Sequence, residues 1–596
     1  MSASRRERQR GARCGGRIAV AILAASVLVL AAPSQAATLP PQRVADIYPG
    51  TTGSEPDELA ALGGSLYFRA RDGGFDWELW RTNGTATEQV ADISPGPSGS
   101  DPTELTALDG RLYFQAEEPT GGLELWRTDG TLTERVADIH AGPQDSDPSG
   151  FAALGDFLYF QALDGVDGFE LWRSNGTTTE QVMNINPGAG SFPIDLTALG
   201  GFLYLGANDG VDGFELWRTN GTGATQVMDI FAGASGSGAG PFTRLGGHLY
   251  FEANDGVDGR ELWRTNGTST EQVADIDAGP TGATAINLDV FDGFLYFDAD
   301  DGLTGTELWR TDGATTQRVA DINPGGGGSS AGCCTALGGH AYFSADGGAD
   351  GRELWRTNGT TTERVADINP GAGDSDPALL TAFDGSIYFR ADDGATGTEL
   401  WRTDGASTER VADIRAGASS SLPSELTVLG DSLYFTARDA PGGEELWRVA
   451  RAPVAPASPA SPGPAAPTRS SPPKADRRPP ELTVEAKPRQ RLRKKLKLTA
   501  SCDEPCELSA QGKLRVLTPR KEGKRRRKRS YAVRGGRAEL AAGELKRLKL
   551  AVTRKGRRNA KRALRRKGGR ATARVKLRAS DRAGNMAKER LKVKLR

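Results

Sequence analysis

The sequence predicts an all-β protein: a β-propeller of about nine four-stranded blades, then a Pro-rich linker, then a small basic β-sandwich. Three observations predict the propeller. Glu-Leu-Trp recurs with its tryptophan at Trp80, Trp126, Trp172, Trp217, Trp263, Trp309, Trp355, Trp401 and Trp447, 46 residues apart except for one interval of 45. Each period holds four short apolar segments separated by Gly, Asp and Asn turns, and four strands in a repeat of about 40–45 residues is a propeller pattern. Finally, one unit is split between the ends of the array, which opens with a fourth strand, Val44-Ala45-Asp46-Ile47, and closes with a third, Glu445-Leu446-Trp447-Arg448. A ring gains from pairing those ends, whereas an open solenoid needs polar caps.

Within the unit at 367–410 the alternation places strands at 378–382, 386–391, 398–402 and 408–414. Asp384-Gly385 and Asp404-Gly405 are expected as hairpin turns, because these residues tolerate positive φ. The second strand puts Ile387, Phe389 and Ala391 on one face and Tyr388 on the other. A sheet with apolar bulk on both faces must be sandwiched between neighbours.

Composition divides the chain. A length of 596 residues exceeds what one core holds, and 77 Gly against four Met and three His leave few acid–base or metal ligands. The net charge of −1 conceals a separation: residues 38–450 carry 23 basic and 64 acidic side chains and no Lys, whereas 481–596 carry 41 basic and 10 acidic. These stretches are therefore about −41 and +31.

Residues 1–36 read as a removable export signal, with arginines between Arg5 and Arg17, an apolar run at 18–32 and Ser34-Gln35-Ala36 before Ala37. That run is too short to span a bilayer comfortably, and no second one follows. The expectation is an extracellular or cell-surface protein without a transmembrane segment after signal cleavage; the alternative, given the long basic region, is an uncleaved anchor. In an oxidising compartment Cys502 and Cys506 can close a small disulfide. Cys333 and Cys334 stand where Leu379 and Leu380 stand one repeat later, and read either as buried small hydrophobes or as a vicinal disulfide.

The octad Glu124-Leu125-Trp126-Arg127-Thr128-Asp129-Gly130-Thr131 matches the ELWxxDGT repeat literally, and returns with Asn in place of Asp at 78–85 and 353–360. Over nearly all of 38–450 the chain resembles the ELWxxDGT repeat proteins. The resemblance implies an exported bacterial propeller, with no defined activity and no catalytic residue.

Residues 451–480, with Pro453, Pro456, Pro459, Pro462, Pro464 and Pro467 among Ala and Ser, read as a semi-rigid spacer. Beyond it, period-two alternation at 481–486, 493–500, 507–516, 544–552 and 573–579 and a closing strand at 591–595 flank a short helical stretch at 559–566. The turn Asp581-Arg582-Ala583-Gly584-Asn585 is similar to the ending of bacterial immunoglobulin-like modules, which implies a sandwich, here with cationic polar faces.

No linear catalytic motif is present, and His140, His248 and His340 fall at different points of their units. The loop Asp164-Gly165-Val166-Asp167-Gly168-Phe169-Glu170 recurs around Asp209, Asp212 and Glu215 and around Asp255, Asp258 and Glu261, and three carboxylates in one loop suit Ca²⁺. The same residues also read as turn formers, with the glutamate facing an arginine across the strands. No other cofactor is suggested. The cluster Lys524, Arg525, Arg526, Arg527, Lys528 and Arg529 is expected on one exposed hairpin, as the centre of polyanion binding. An anionic cell-envelope polymer or glycan is the expected partner. Export keeps the tail from cytoplasmic nucleic acid, and the cluster lacks interleaved aromatics. The function expected is that of an exported, non-enzymatic interaction or adhesion protein; the alternative is an extracellular carbohydrate-active enzyme with its site in the axial cleft.

Overall fold

The computed structural model describes residues 38–73, 76–332, 334–439 and 443–452, and, further on, 482–485, 489–490, 495–502, 506–518, 527–540, 546–565, 570–580 and 586–595. The chain divides into two compact units, Met1–Ser458 and Pro459–Arg596. The expected signal segment and most of the expected spacer lie outside the described residues. No helix among the described residues is long and apolar enough to cross a membrane.

The first unit holds nine four-stranded antiparallel sheets. Eight are built from consecutive strands, as in Ala378–Phe383, Ser386–Asp392, Thr398–Thr403 and Thr408–Ala412. The ninth takes its outer strand from the other end of the array: Gln42 lies opposite Arg448 and Arg43 opposite Trp447. The closure expected from the split unit is present, but the paired residues are Gln42–Arg43 rather than 44–47. Val-Ala-Asp-Ile marks where a fourth strand ends. In the first full blade that strand is Thr87–Ala91, after which the Ile93 N–H turns inward to Glu78.

Each sheet is buried on both faces, because each sits between two others. Ile387, Phe389 and Ala391 pack with Tyr342 and Leu354 of the preceding blade, whereas Tyr388 and Leu400 pack with Leu433, Phe435 and Ala437 of the next. Leu66, Phe68 and Ala70 of the first blade meet Tyr434 and Leu446 of the last, joined by Val44 and Ile47. The ring is thus a closed propeller of nine blades.

The turns of blade eight show two different chemistries. Asp384 (φ 48°) and Gly385 (φ 77°) form a two-residue hairpin in which both residues have positive φ. At the second turn only Gly405 does (φ 85°), and Asp404 instead accepts the Ala406 and Ser407 N–H groups at 2.8 Å through one carboxylate oxygen. This turn also joins blades, since Arg81 donates to the Gly130 carbonyl of the next blade at 2.7 Å. Gly130 has φ 89°, and a Cβ there would fall on the Tyr67 hydroxyl and within 2.6 Å of Arg81 Nη1. In the last blade the N-terminal segment substitutes for the turn, with Arg402 donating to Thr38 Oγ1 at 2.7 Å.

The glutamate of Glu-Leu-Trp is at most 1% exposed in all nine copies. It does not face an arginine, as the sequence suggested; it latches the connector that leaves its blade. Glu170 accepts Ile185 N–H at 2.9 Å, Asn186 N–H at 3.0 Å and the Ser191 hydroxyl at 2.6 Å. The Ser191 carbonyl in turn accepts Asn208 N–H of the next blade at 2.9 Å. Ser54, Ser100, Ser146, Ser237, Ser329, Ser375 and Ser421 hold the same place, and blade five alone has Ala283. The arginine pairs elsewhere: Arg81 and Arg264 bind Glu88 and Glu271 on the outermost strand.

In the second unit, strands Leu482–Glu485, Lys495–Cys502 and Lys546–Val552 form one part of an eight-stranded sheet. Arg527–Leu540, Cys506–Thr518, Arg570–Ser580, Met586–Leu595 and Arg489–Gln490 form the other. Only Val533 opposite Val552 and Arg534 opposite Ala551 join them, so the two parts close like a sandwich over one core. The core is made of small and branched residues, among them Leu498, Leu550, Leu514, Val516, Val575 and Leu577. The helix Arg554–Leu564 adds Ala560 and Ala563 to it, and starts before the stretch expected at 559–566. The strand Arg527–Leu540 was not legible in the sequence, because its charges and Gly535-Gly536 interrupt the apolar alternation.

Candidate functional site

The nine copies share one framework and differ mainly at the end of the ring that carries the connectors between blades. There the first strand of each blade is innermost, lying beside the first strands of its neighbours, and in seven of the nine blades it opens with a bulge. The bulge residues are Glu58 (φ 56°), Glu104 (φ 60°), Gly150 (φ 69°), Asp195 (φ 57°), Asn287 (φ 56°), Leu379 (φ 59°) and Glu425 (φ 55°). Three acids on successive blades form an arc about the axis. Glu425 accepts Leu59 N–H at 3.4 Å, Glu58 accepts Glu104 N–H at 3.1 Å and Glu104 accepts Gly150 N–H at 3.2 Å, each across a blade boundary. Burial, and then the negative charges of Asp57, Glu104 and Glu425, raise the Glu58 pKa. Beside the arc, the Arg69 guanidinium bridges Asp57 and Asp101 and lies over the Trp77 ring, 4.6 Å from its centroid.

Elsewhere at this end, apolar side chains project from among the loop aspartates. Val166, Val211, Val257 and Leu303, on the corresponding loops of blades three to six, are 77%, 69%, 71% and 82% exposed. Between blades six and seven, Asp298 accepts Asn287 Nδ2 at 2.8 Å through one oxygen, while Oδ1 is shielded without a partner. Burial pushes its carboxyl up to about 7, and Asp289 up to about 6. Burial, then Asp289 and Asp298, raise the free Cys334 thiol well above its ordinary value. Cys334 packs against Tyr296, Leu308 and Phe343, as the hydrophobe reading expected; Cys333 lies outside the described residues. All nine repeat tryptophans have a shielded, unpaired indole N–H, so that feature belongs to the framework and marks no particular site.

The residues expected to hold Ca²⁺ are placed in two different roles. Asp164 accepts the N–H groups of Val166 and Asp167 at 2.9 Å, Asp209 those of Val211 and Asp212, and Asp255 those of Val257 and Asp258. Glu170, Glu215 and Glu261 are buried in their connector latches. No three His, Cys, Asp or Glu side chains gather around a common point among the described residues. The histidines are also apart: the His140 ring packs on Gly165, whereas His248 and His340 sit beside Tyr250 and Tyr342.

Of the expected polyanion cluster, Lys524, Arg525 and Arg526 lie outside the described residues. Arg527, Lys528 and Arg529 open a strand whose backbone pairs them with Thr518, Leu517 and Val516. Cys502 ends one strand and Cys506 begins the next, and their side chains too lie outside what is described. The connector serines were missed by sequence reasoning, although seven of the eight stand 22 residues after their latch glutamate or, at Ser191, 21.

No protein-family model matches the sequence, and no curated protein matches it. Solved structures similar to it include a prolyl endopeptidase, at 14% identity and a TM-score of 0.33 over 59% of this chain and 54% of that one. Sqt1 of Saccharomyces cerevisiae is 12% identical, with a TM-score of 0.31 over 63% of this chain and 98% of its own. An uncharacterized protein of Listeria monocytogenes is 9% identical, with a TM-score of 0.30 over 52% and 95%. The chain spans about half the length of the prolyl endopeptidase. Likeness this distant carries no argument about activity; the nine sheets and their closure define the class, a β-propeller protein with a separate basic β-unit.

Proposed function

We propose that this chain is an exported, non-enzymatic interaction protein of the ELWxxDGT repeat type, working outside the cell or at its surface. Its acidic propeller is a rigid display scaffold, and its basic C-terminal unit binds an anionic polymer of the cell envelope. The separation of charge carries the reading: about −41 on 38–450 and about +31 on 481–596. A field of that size on one small unit attracts polyanions through many screened contacts. The latch glutamates and the axial acids all accept backbone hydrogen bonds, which supports a framework role for them over an acid–base pair acting on carbohydrate.

The test is retention of the full mature protein on purified cell walls at rising salt. If six or more charges engage, affinity falls by roughly 10³ between 50 and 200 mM salt. Replacing Lys524, Arg525, Arg526, Arg527, Lys528 and Arg529 by Ser lowers retention further. Salt-independent retention, or none at low salt, overturns the reading.

A further inference from the structure

We propose that the outer face of the strands Cys506–Thr518, Arg570–Ser580 and Met586–Leu595 is the surface on which one extended linear polyanion lies, its phosphate-type groups seated between cations of neighbouring strands. The proposal rests on the polyanion reading above and gives it a location on one sheet face, away from the 524–529 cluster that the sequence suggested as its centre.

Strand register carries the argument. In four successive rows Ser509, Arg578 and Lys588 lie opposite one another, then Gln511, Lys576 and Arg590, then Lys513, Arg574 and Lys592, then Arg515, Thr572 and Lys594. These rows hold nine Lys or Arg and no Asp or Glu. Their face is fixed by the alternation: Leu514, Val516, Ala573, Val575, Leu577, Val593 and Leu595 are buried, and Lys513, Arg574, Lys576 and Lys594 are exposed. The helix Arg554–Leu564 packs Ala560 and Ala563 into the core, so it covers the opposite side of the sheet.

Like charges directly opposite on antiparallel strands sit about 5 Å apart at Cβ and destabilise the sheet. The propeller uses the same geometry in the opposite sense, since Arg127 lies across from Glu134 and Arg264 across from Glu271, each pair 2.6 Å apart. In these four rows of the C-terminal unit no counter-charge stands opposite the cations, the nearest acids of the same alternation being Glu507 and Glu539 one row beyond, and an anionic chain lying across the strands supplies it. Rows repeat at about 6.7 Å and strands at about 4.8 Å, giving a face of roughly 20 by 10 Å. That suits an extended chain with a charge on each repeating unit, and Arg and Lys both suit phosphate. The four rows hold no aromatic residue, so nothing in them stacks on a nucleobase.

The experiment uses the full mature protein, inorganic polyphosphate of increasing chain length and single-stranded DNA. Wild-type affinity for polyphosphate rises with length until the chain spans the face. Changing Lys513→Gln, Arg574→Gln, Lys576→Gln and Lys594→Gln together weakens binding at least tenfold. The slope of log affinity on log salt becomes shallower by roughly three. The same variant melts no lower than wild type without ligand, because repulsion has been relieved, and loses the rise in melting temperature that polyphosphate gives the wild type. A control removes as much charge from the helix, by Lys555→Gln, Arg558→Gln, Lys561→Gln and Arg562→Gln, and keeps its binding.

Equal losses in the two variants mean that net charge alone binds, which overturns the proposal. A face variant that binds normally while the 524–529 variant does not also overturns it and leaves the polyanion reading intact. Tighter binding of single-stranded DNA than of polyphosphate at equal charge overturns the assigned ligand. A wild type that binds no polyanion removes both readings.

Discussion

At the scale of single residues, the buried glutamate of Glu-Leu-Trp determines how one blade is tied to the next. An unpaired buried carboxylate is expensive, so each of the nine must find donors, and it finds them on the connector to the neighbouring blade. Blade five lacks one of them. Glu261 accepts Ala283 N–H at 2.9 Å but has no serine hydroxyl, and burial pushes its carboxyl up to about 7. Ala283→Ser restores the donor found in the other eight copies. It should stabilise the propeller by about 0.5–1.5 kcal/mol, read from chemical denaturation at neutral pH. No gain would mean that the hydroxyl adds nothing to the backbone donors.

At the scale of elements, the decisive piece is the N-terminal strap. Besides the pairs at Gln42 and Arg43, Leu39 N–H donates to the Ala450 carbonyl at 2.8 Å and Val44 N–H to the Leu446 carbonyl at 2.7 Å. Ser54 closes the ninth latch on Glu445, with its N–H at 3.1 Å and its hydroxyl at 2.5 Å. A chain beginning at Gly53 keeps the latch and loses the strand, leaving the edge of the last sheet unpaired. Its melting temperature should fall by several degrees and its tendency to aggregate should rise. An unchanged melting curve would sink the view that this strand closes the ring.

For the whole molecule, the upward shifts of the latch glutamates, repeated around the ring, give a pH dependence. Glu124, Glu261 and Glu445 are pushed up to about 7 by burial, and Glu78, Glu215, Glu307, Glu353 and Glu399 move the same way. Raised values mean that the folded ring holds protons that the unfolded chain releases, so stability from these groups is complete at low pH and is lost as pH rises toward 7. The turn aspartates Asp301, Asp312, Asp393 and Asp404 are lowered by the N–H and hydroxyl groups they accept, and their contribution is lost only below the ordinary Asp value of about 4. Melting temperature should therefore rise from pH 8 to about pH 5 and fall below pH 4. A flat profile between pH 8 and 5 would show that the latch carboxylates are ionised without penalty.

The sequence by itself determined the period, the four strands of each blade, their two buried faces and the closure of the ring from its split unit. These follow from alternation and turn chemistry within a few residues, repeated nine times, so that single departures such as Ala283 do not obscure them. It also located the alternating cations at 573–579, because period two is local. What only the tertiary structure decided are meetings across the chain. The Glu170 carboxylate turns to Ser191 rather than to Asp164, Glu58 reaches the Glu104 N–H one blade away, and Arg574 falls between Lys513 and Lys592. A buried carboxylate takes whichever donors the folded backbone brings within about 3 Å, and a charge on a sheet answers to its neighbours on the adjacent strands. Neither can be read from spacing along the chain.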